Sequence, residues 1–366
     1  MSHTPQKAFH ATDSRFYEQL GITPGVDLFE DGRRTDPAVS GTYEWWYFDA
    51  HLADGSKLVI TFFTKDAAAP SRGLAPQIAL DLDLPDGRTI NKSIHFDPET
   101  FSASAGSCDV RIGENRFAGD LHTYTISVSL EEVTAEVTLT GQTEPWRPGT
   151  GYTYYGDDEK AYFAWLPSVP YGNVEVTYSV DGTSTTTTGH GYHDHNWGNA
   201  PMMSVLNNWY WGRGKAGPYT FITAYMVAEK KFGYTPLPVF MLAEDGKVIA
   251  DDHTKVTFEK SGIHDDEQTG KPVADDHVYT YRDGTTEYTL AYHREETILR
   301  TMFIDSVHGF KKLLAKLAGF DGCYLRFSGT VTLTHRENGE IVDERTEPAI
   351  WELMYFGKDD HDQHSG

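Results

Sequence analysis

Positive charge and cysteine are scarce in this chain. Its 366 residues carry 31 Lys+Arg against 54 Asp+Glu, a formal net charge of −23. Such a balance repels a phosphate backbone, and no basic cluster stands against it, so nucleic-acid binding is set aside. The two cysteines, Cys108 and Cys323, lie far apart and form no metal or redox spacing. No apolar run approaches the ~20 residues of a spanning helix. The stretch from Met1 to Ala11 lacks the apolar core of a signal peptide. A soluble, cytoplasmic protein is expected, with transient membrane contact left open. A Gly-x-Ser-x-Gly elbow and a phosphate loop are both missing, so no nucleophile signature appears.

Aromatic residues are abundant at 13%, and 34 Gly with 17 Pro make the chain rich in turns. Residues 1–40 form a lead-in, with a short helix expected at Ser14 to Leu20 that Asp13 is placed to cap. From Tyr43 the apolar period becomes two. Trp45–Leu52, Lys57–Thr64, Gln77–Leu84, Thr89–Phe96, Tyr124–Leu130 and Glu136–Thr140 have strand composition. Asp54-Gly55 and Asp86-Gly87 are hairpin signals, and Asp181-Gly182 joins Val174–Val180 to Thr185–Tyr192.

The pattern then starts again. Trp209-Tyr210-Trp211 echoes Trp45-Trp46-Tyr47, Tyr219–Val227 echoes Leu58–Thr64, and Thr330–Gly339 echoes Glu175–Gly182. The close of each half is also alike, Tyr192 to Gly198 in the first and Trp351 to Gly357 in the second. A duplicated β-unit of barrel or sandwich type follows, with domains at 41–200 and 201–358. One helix interrupts the second half near 309–318, where Phe310, Leu313, Leu314 and Leu317 share a face. The polar tail 359–366 is expected to be disordered.

The densest chemistry is Gly189-His190-Gly191-Tyr192-His193-Asp194-His195-Asn196-Trp197-Gly198. On a strand, His193, His195 and Trp197 share one face, and Tyr192, Asp194 and Asn196 the other. Three uses of this block remain open. His193 and His195 make a plausible pair of metal ligands, although no third ligand is obvious. Alternatively, His195, Asp194 or Glu44 handles a proton without metal. Glu44 sits among aromatic residues, and desolvation there would raise a carboxyl pKa. Trp46, Tyr47, Trp197, Trp209 and Trp211 would then face a developing carbocation, each contact worth roughly 0.5–2 kcal/mol. The third use is structural, with Glu44 and Arg213 as a buried ion pair in a carrier of an apolar ligand.

The Glu44-Trp45-Trp46-Tyr47 block, Phe163-x-Trp165 with Pro170-x-Gly172, the histidine block and Trp209-x-Trp211-Gly212-Arg213 together resemble the AttH-like family. That family includes carotenoid 1,2-hydratases, kievitone hydratase and fungal Diels–Alderases. The resemblance spans about Thr42 to Gly357. It implies two tandem lipocalin-like β-domains around a pocket for a small isoprenoid- or polyketide-like ligand, with no metal or organic cofactor. In the hydratase branch a His-x-Trp pair and an acid on a following strand are implicated. His195 and Trp197 match the pair, but Phe221–Val227 offers Thr223 and Tyr225 and no acid. The acid role then falls to Asp194 or Glu44, or the reaction differs. The expectation is an acid-catalysed hydratase or cyclase acting on a prenyl-like C=C bond, with a pericyclase or a carrier as alternatives. His195, Asp194 and Glu44 are the catalytic candidates. Trp46, Tyr47, His193, Trp197, Trp209, Trp211, Arg213 and Tyr225 are the candidate substrate contacts.

Overall fold

A computed structural model describes residues 7–67, 69–303 and 322–356. The helix expected near 309–318 and the tail 359–366 lie outside the described residues. The first expected strands occur as Tyr43–Leu52, Lys57–Phe63, Gln77–Asp83 and Thr89–His95. They are β-branched and aromatic segments punctuated by Gly and Asp turns, and they pair as antiparallel neighbours. The strand that carries the histidine block is longer than its periodicity indicated, running Thr183–Gly198 against the 20-residue strand Ala161–Val180. The turn between them has Asp181 at φ 50° and Gly182 at φ 78°. Two positive φ values in a two-residue loop give the twist that a tight hairpin needs. Ser14–Leu20 is helical, but the Asp13 side chain makes no capping bond.

Two large sheets hold almost all the strands. The first orders Thr89–His95, Gln77–Asp83, Lys57–Phe63, Tyr43–Leu52, Thr183–Gly198, Ala161–Val180, Val133–Gly141, Thr123–Leu130 and Asn115–Gly119, and then continues to two short strands. The second orders Lys247–Ala250, Pro236–Glu244, Tyr219–Ala228, Leu206–Ala216, Glu340–Tyr355, Cys323–Glu337, Thr286–Met302, Asp276–Asp283 and Val256–Ser261. Position by position, these are the same order. Even the central hairpin repeats, with Asn338 at φ 53° and Gly339 at φ 85° where the first half has Asp181 and Gly182. The duplication read from sequence echoes is therefore also a duplication of topology.

Three large apolar cores result, beside two small clusters around Phe16 and Trp197. One fills the first curled sheet around Trp46, Phe48, Phe62, Phe117 and Tyr124. A second fills the other around Tyr210, Phe221, Tyr279, Tyr292 and Trp351. The third joins the halves, with Tyr43, Trp165 and Tyr192 from the first against Ile222, Ala224, Met226, Val239 and Met241 from the second. Strand alternation makes this possible, because Phe221 faces the second core while Ile222 and Ala224 face the junction. Among the described residues, no helix is long and apolar enough to cross a membrane.

Candidate active site

A cavity of about 240 Å³ lies within the joining core. The first half lines it with Trp45, Tyr47, Phe163, Trp165, Tyr192, Asp194 and Asn196. The second contributes Met202, Trp209, Trp211, Ala224, Met226 and Glu352. Parity explains the selection on each strand. On Tyr43–Leu52 the odd residues Trp45 and Tyr47 face the cavity, while Trp46 and Phe48 enter the first core. Register places Tyr47 opposite Asp194 and Trp45 opposite Asn196, so the two strands present one continuous wall.

Asp194 is 8% exposed. Its Oδ2 accepts bonds from the Trp165 indole and the Tyr192 hydroxyl, both at 2.8 Å, and its Oδ1 accepts from the Asn196 amide at 2.6 Å. Burial pushes its pKa up. Those three neutral donors and His193 pull it down without cancelling the rise. Across the cavity stands Glu352, which sequence reasoning missed. Burial raises its pKa too, against the hydrogen bond from Tyr324 at 2.7 Å and the nearby Arg326 and Trp209.

The histidine pair points the other way. His193 and His195 are both fully buried inside the first sheet and do not line the cavity. His195 Nε2 lies 2.8 Å from Glu44 Oε1, and its Nδ1 faces Asp31 Oδ1 at 3.5 Å. Trp46 stacks on the His195 ring at 4.7 Å, and Trp197 packs against the same ring, tilted, also at 4.7 Å. His193 bonds the Tyr47 carbonyl through Nδ1 and turns Nε2 to Asp31 at 3.4 Å. Glu44 also accepts from the backbone N–H of Arg34 and Thr35 and from the Thr35 hydroxyl. This network therefore ties residues 31–35 of the lead-in to the first sheet. Arg147, bonded to Glu30 at 2.7 Å with both side chains buried, fastens the same segment.

The geometry thus divides the residues singled out from the sequence. It brings Asp194, Tyr47, Trp209 and Trp211 together at the cavity. It sets Glu44, Trp46, His193 and His195 together behind that wall, and Trp197 with Tyr152 to one side. Tyr225 stacks on Phe258 at 4.1 Å, because its neighbours Ala224 and Met226 take the cavity face. An ion pair between Glu44 and Arg213 does not form. Arg213 instead bonds Asp49 and lies over the Tyr192 ring at 4.6 Å, bridging the two halves beside the cavity. His193 and His195 do not converge as two ligands of one ion. Among the described residues, the group with converging donor atoms is Asp31, Cys108 and His193, within 4.8 Å of one another.

The motif glycines have a steric reason. A Cβ at Gly198 would meet the Tyr43 hydroxyl at 2.6 Å and the Tyr162 carbonyl at 2.8 Å. Any larger residue would push the flanking strands apart.

The buried network also predicts a pH dependence. Burial alone would raise Asp31, but His193, His195 and Tyr124 outweigh it and hold the carboxyl below its usual range. A depressed folded value gives stability that is complete above the unfolded value near ~3.9 and lost as pH falls through the folded one. Urea titrations should show wild type losing stability below about pH 4 more steeply than Asp31→Asn. Equal slopes would mean that Asp31 is not held as a carboxylate.

Two curled antiparallel sheets, duplicated in topology and enclosing an apolar chamber where they meet, define a tandem lipocalin-like protein. The chain belongs to the Diels-Alderase-like family, whose model matches residues 29–323. It is 28% identical over 211 residues to the quinolone epoxide rearrangement protein asqO of Emericella nidulans, covering 52% of this chain and 56% of that protein. It is 29% identical over 205 residues to a hydroxyneurosporene dehydrogenase of Chlorobaculum tepidum, covering 47% and 53%. The chain thus spans only a little over half the length of these two relatives. Its fold is similar to that of a putative AttH from Nitrosomonas europaea, with a TM-score of 0.58, 16% identity, and 92% of this chain and 99% of that one covered. The family expected from the tryptophan and histidine blocks is the family found.

Proposed function

We propose that the chamber between the halves binds a small, apolar, unsaturated substrate of prenyl or terpenoid type, and that Asp194 protonates it. The observation that carries this reading is a carboxyl group with a raised pKa in an aromatic wall. A buried acid with no cationic partner bonded to it is suited to donating a proton near neutral pH. In the reaction the Asp194 O–H bond breaks, and the alkene π pair forms a new C–H bond. The cationic carbon then takes a lone pair from water, or from a hydroxyl of the same molecule. The proton that this oxygen sheds returns to Asp194. Hydration results in the first case and cyclisation in the second. Relatives named for an epoxide rearrangement and for a hydroxyneurosporene fit chemistry that begins at an activated, apolar carbon skeleton.

Size limits the substrate. At about 240 Å³ the cavity falls below the roughly 300–1,000 Å³ of pockets for drug-sized ligands. A short prenyl unit fits inside, whereas a long polyene would leave most of its length outside. Two domains, 41–200 and 201–358, would each supply one wall.

The test is turnover of prenylated phenols and linear terpenes in heavy water. Deuterium on a product carbon is expected. An unlabelled cycloadduct would replace this proposal with a pericyclic reaction that needs only shape and a hydrogen bond. Recovery of bound but unchanged ligand would make the protein a carrier.

A further inference from the structure

We propose that the chamber is built to hold a positive charge between two buried carboxyl groups, Asp194 and Glu352, which release their protons to solvent as the charge binds, and that it therefore takes lipophilic tertiary or quaternary ammonium compounds as ligands. This rests on the chamber being the binding site and assigns Glu352 a role there.

The duplication carries the argument. Tyr43–Leu52 and Leu206–Ala216 occupy the same place in their sheets, and Trp45-Trp46-Tyr47 aligns with Trp209-Tyr210-Trp211. Tyr47 and Trp211 are therefore equivalent. Asp194 is the cross-strand partner of Tyr47, and Glu352 is the cross-strand partner of Trp211. Each half thus delivers one carboxyl group to the same cavity, on the strand next to its pair of rings.

A container for a neutral hydrocarbon gains nothing from this arrangement, since burying two carboxyl groups in an apolar wall is unfavourable. Nor is either one bonded directly to a cation among the described residues. The bonded partners of Asp194 are a hydroxyl, an indole and an amide. Arg326 is the cross-strand neighbour of Glu352 and draws its pKa down, but its hydrogen bond goes to the Tyr324 hydroxyl at 3.1 Å, which in turn donates to Glu352 at 2.7 Å. Arg213, the cation beside the chamber, is taken by Asp49. At both carboxyl groups the neighbouring donors and charges fall short of the cost of burial, and a positively charged occupant would make up the difference. The faces of Trp45, Trp209 and Trp211 favour such a charge where ammonium hydration would otherwise be lost. A tertiary carbocation passing through the reaction is one occupant with this charge, and a substituted ammonium is its stable analogue.

The experiment compares benzyltrimethylammonium with neopentylbenzene, which has the same shape with carbon in place of N⁺. Binding to the full chain is followed by calorimetry and tryptophan fluorescence. The ammonium should bind about tenfold more tightly than its neutral isostere. In Glu352→Gln that preference should fall about fivefold, while neopentylbenzene binding stays within about twofold of wild type. Tyr324→Phe, which keeps Glu352 but strips the bond that favours its charged form, should reduce the preference in the same sense. Equal affinity of the two probes in wild type overturns the proposal. So does loss of both probes together in Glu352→Gln, or an unchanged preference in both variants. None of these readouts needs turnover. A protein that prefers the ammonium but never labels product would end the proton-transfer reading and leave this one standing.

Discussion

Asp194→Asn should fold normally, bind apolar ligands within about threefold of wild type, and turn over about 10²–10⁴-fold more slowly, the usual contribution of a positioned acid. Asparagine keeps the shape and can still accept from the Trp165 indole and the Tyr192 hydroxyl that hold Asp194. What it lacks is the proton. The rate of wild type should fall as pH rises, since the acid must be protonated. The inflection should lie above the usual ~3.9 of an aspartate, because burial raises this one. Steady-state kinetics with ligand titration separates the two effects. A variant that keeps its rate would mean that the chamber acts by shape alone.

His195→Ala and Glu44→Ala should fail in a different way. Each leaves a buried charged or polar partner unmatched, and breaking such a pair costs about 3–5 kcal/mol. Glu44 loses or vacates contacts with His195, the Arg34 and Thr35 N–H groups and the Thr35 hydroxyl. Residues 31–35 should then come away from the first sheet, with early proteolysis and a fall in unfolding free energy of that size. Molecules that remain folded should still bind ligand, because neither side chain reaches the cavity. Denaturant melts of both variants, read beside kcat at low temperature, make the distinction. Stability within about 0.5 kcal/mol of wild type, together with lost turnover, would return the chemistry to the histidines.

The contrast also shows what the sequence contained. Period two, Gly and Asp turns and the repeated Trp-x-Tyr and Trp-x-Trp blocks made the strands and the duplication legible. The two faces of the Thr183–Gly198 strand were legible as well. Which face met the cavity was not, because every residue from Gly191 to Gly198 is buried. A strand covered on both sides loses the apolar–polar alternation that orients it. Glu352 was hidden inside Trp351–Phe356, where a carboxyl in an apolar strand has no motif around it. The signal was nevertheless present, since the echo of Tyr192–Gly198 pointed to this segment. Asp31 and Glu30 sit in a polar stretch of loop composition, and they are buried by contacts distant in sequence, among them those with His193 and Arg147, more than 100 residues away. Asp109–Ile112 and Asn115–Gly119 were too short for a periodic signal.

Ala224→Trp is the most direct probe of the chamber itself. Ala224 is 2% exposed and lines the cavity from the second sheet. An indole there would occupy much of the roughly 240 Å³ without touching the histidine network. Turnover measured beside the thermal midpoint should show activity lost and the fold retained. A plugged chamber with undiminished turnover would contradict the account, because the chemistry would then lie somewhere other than between the two sheets.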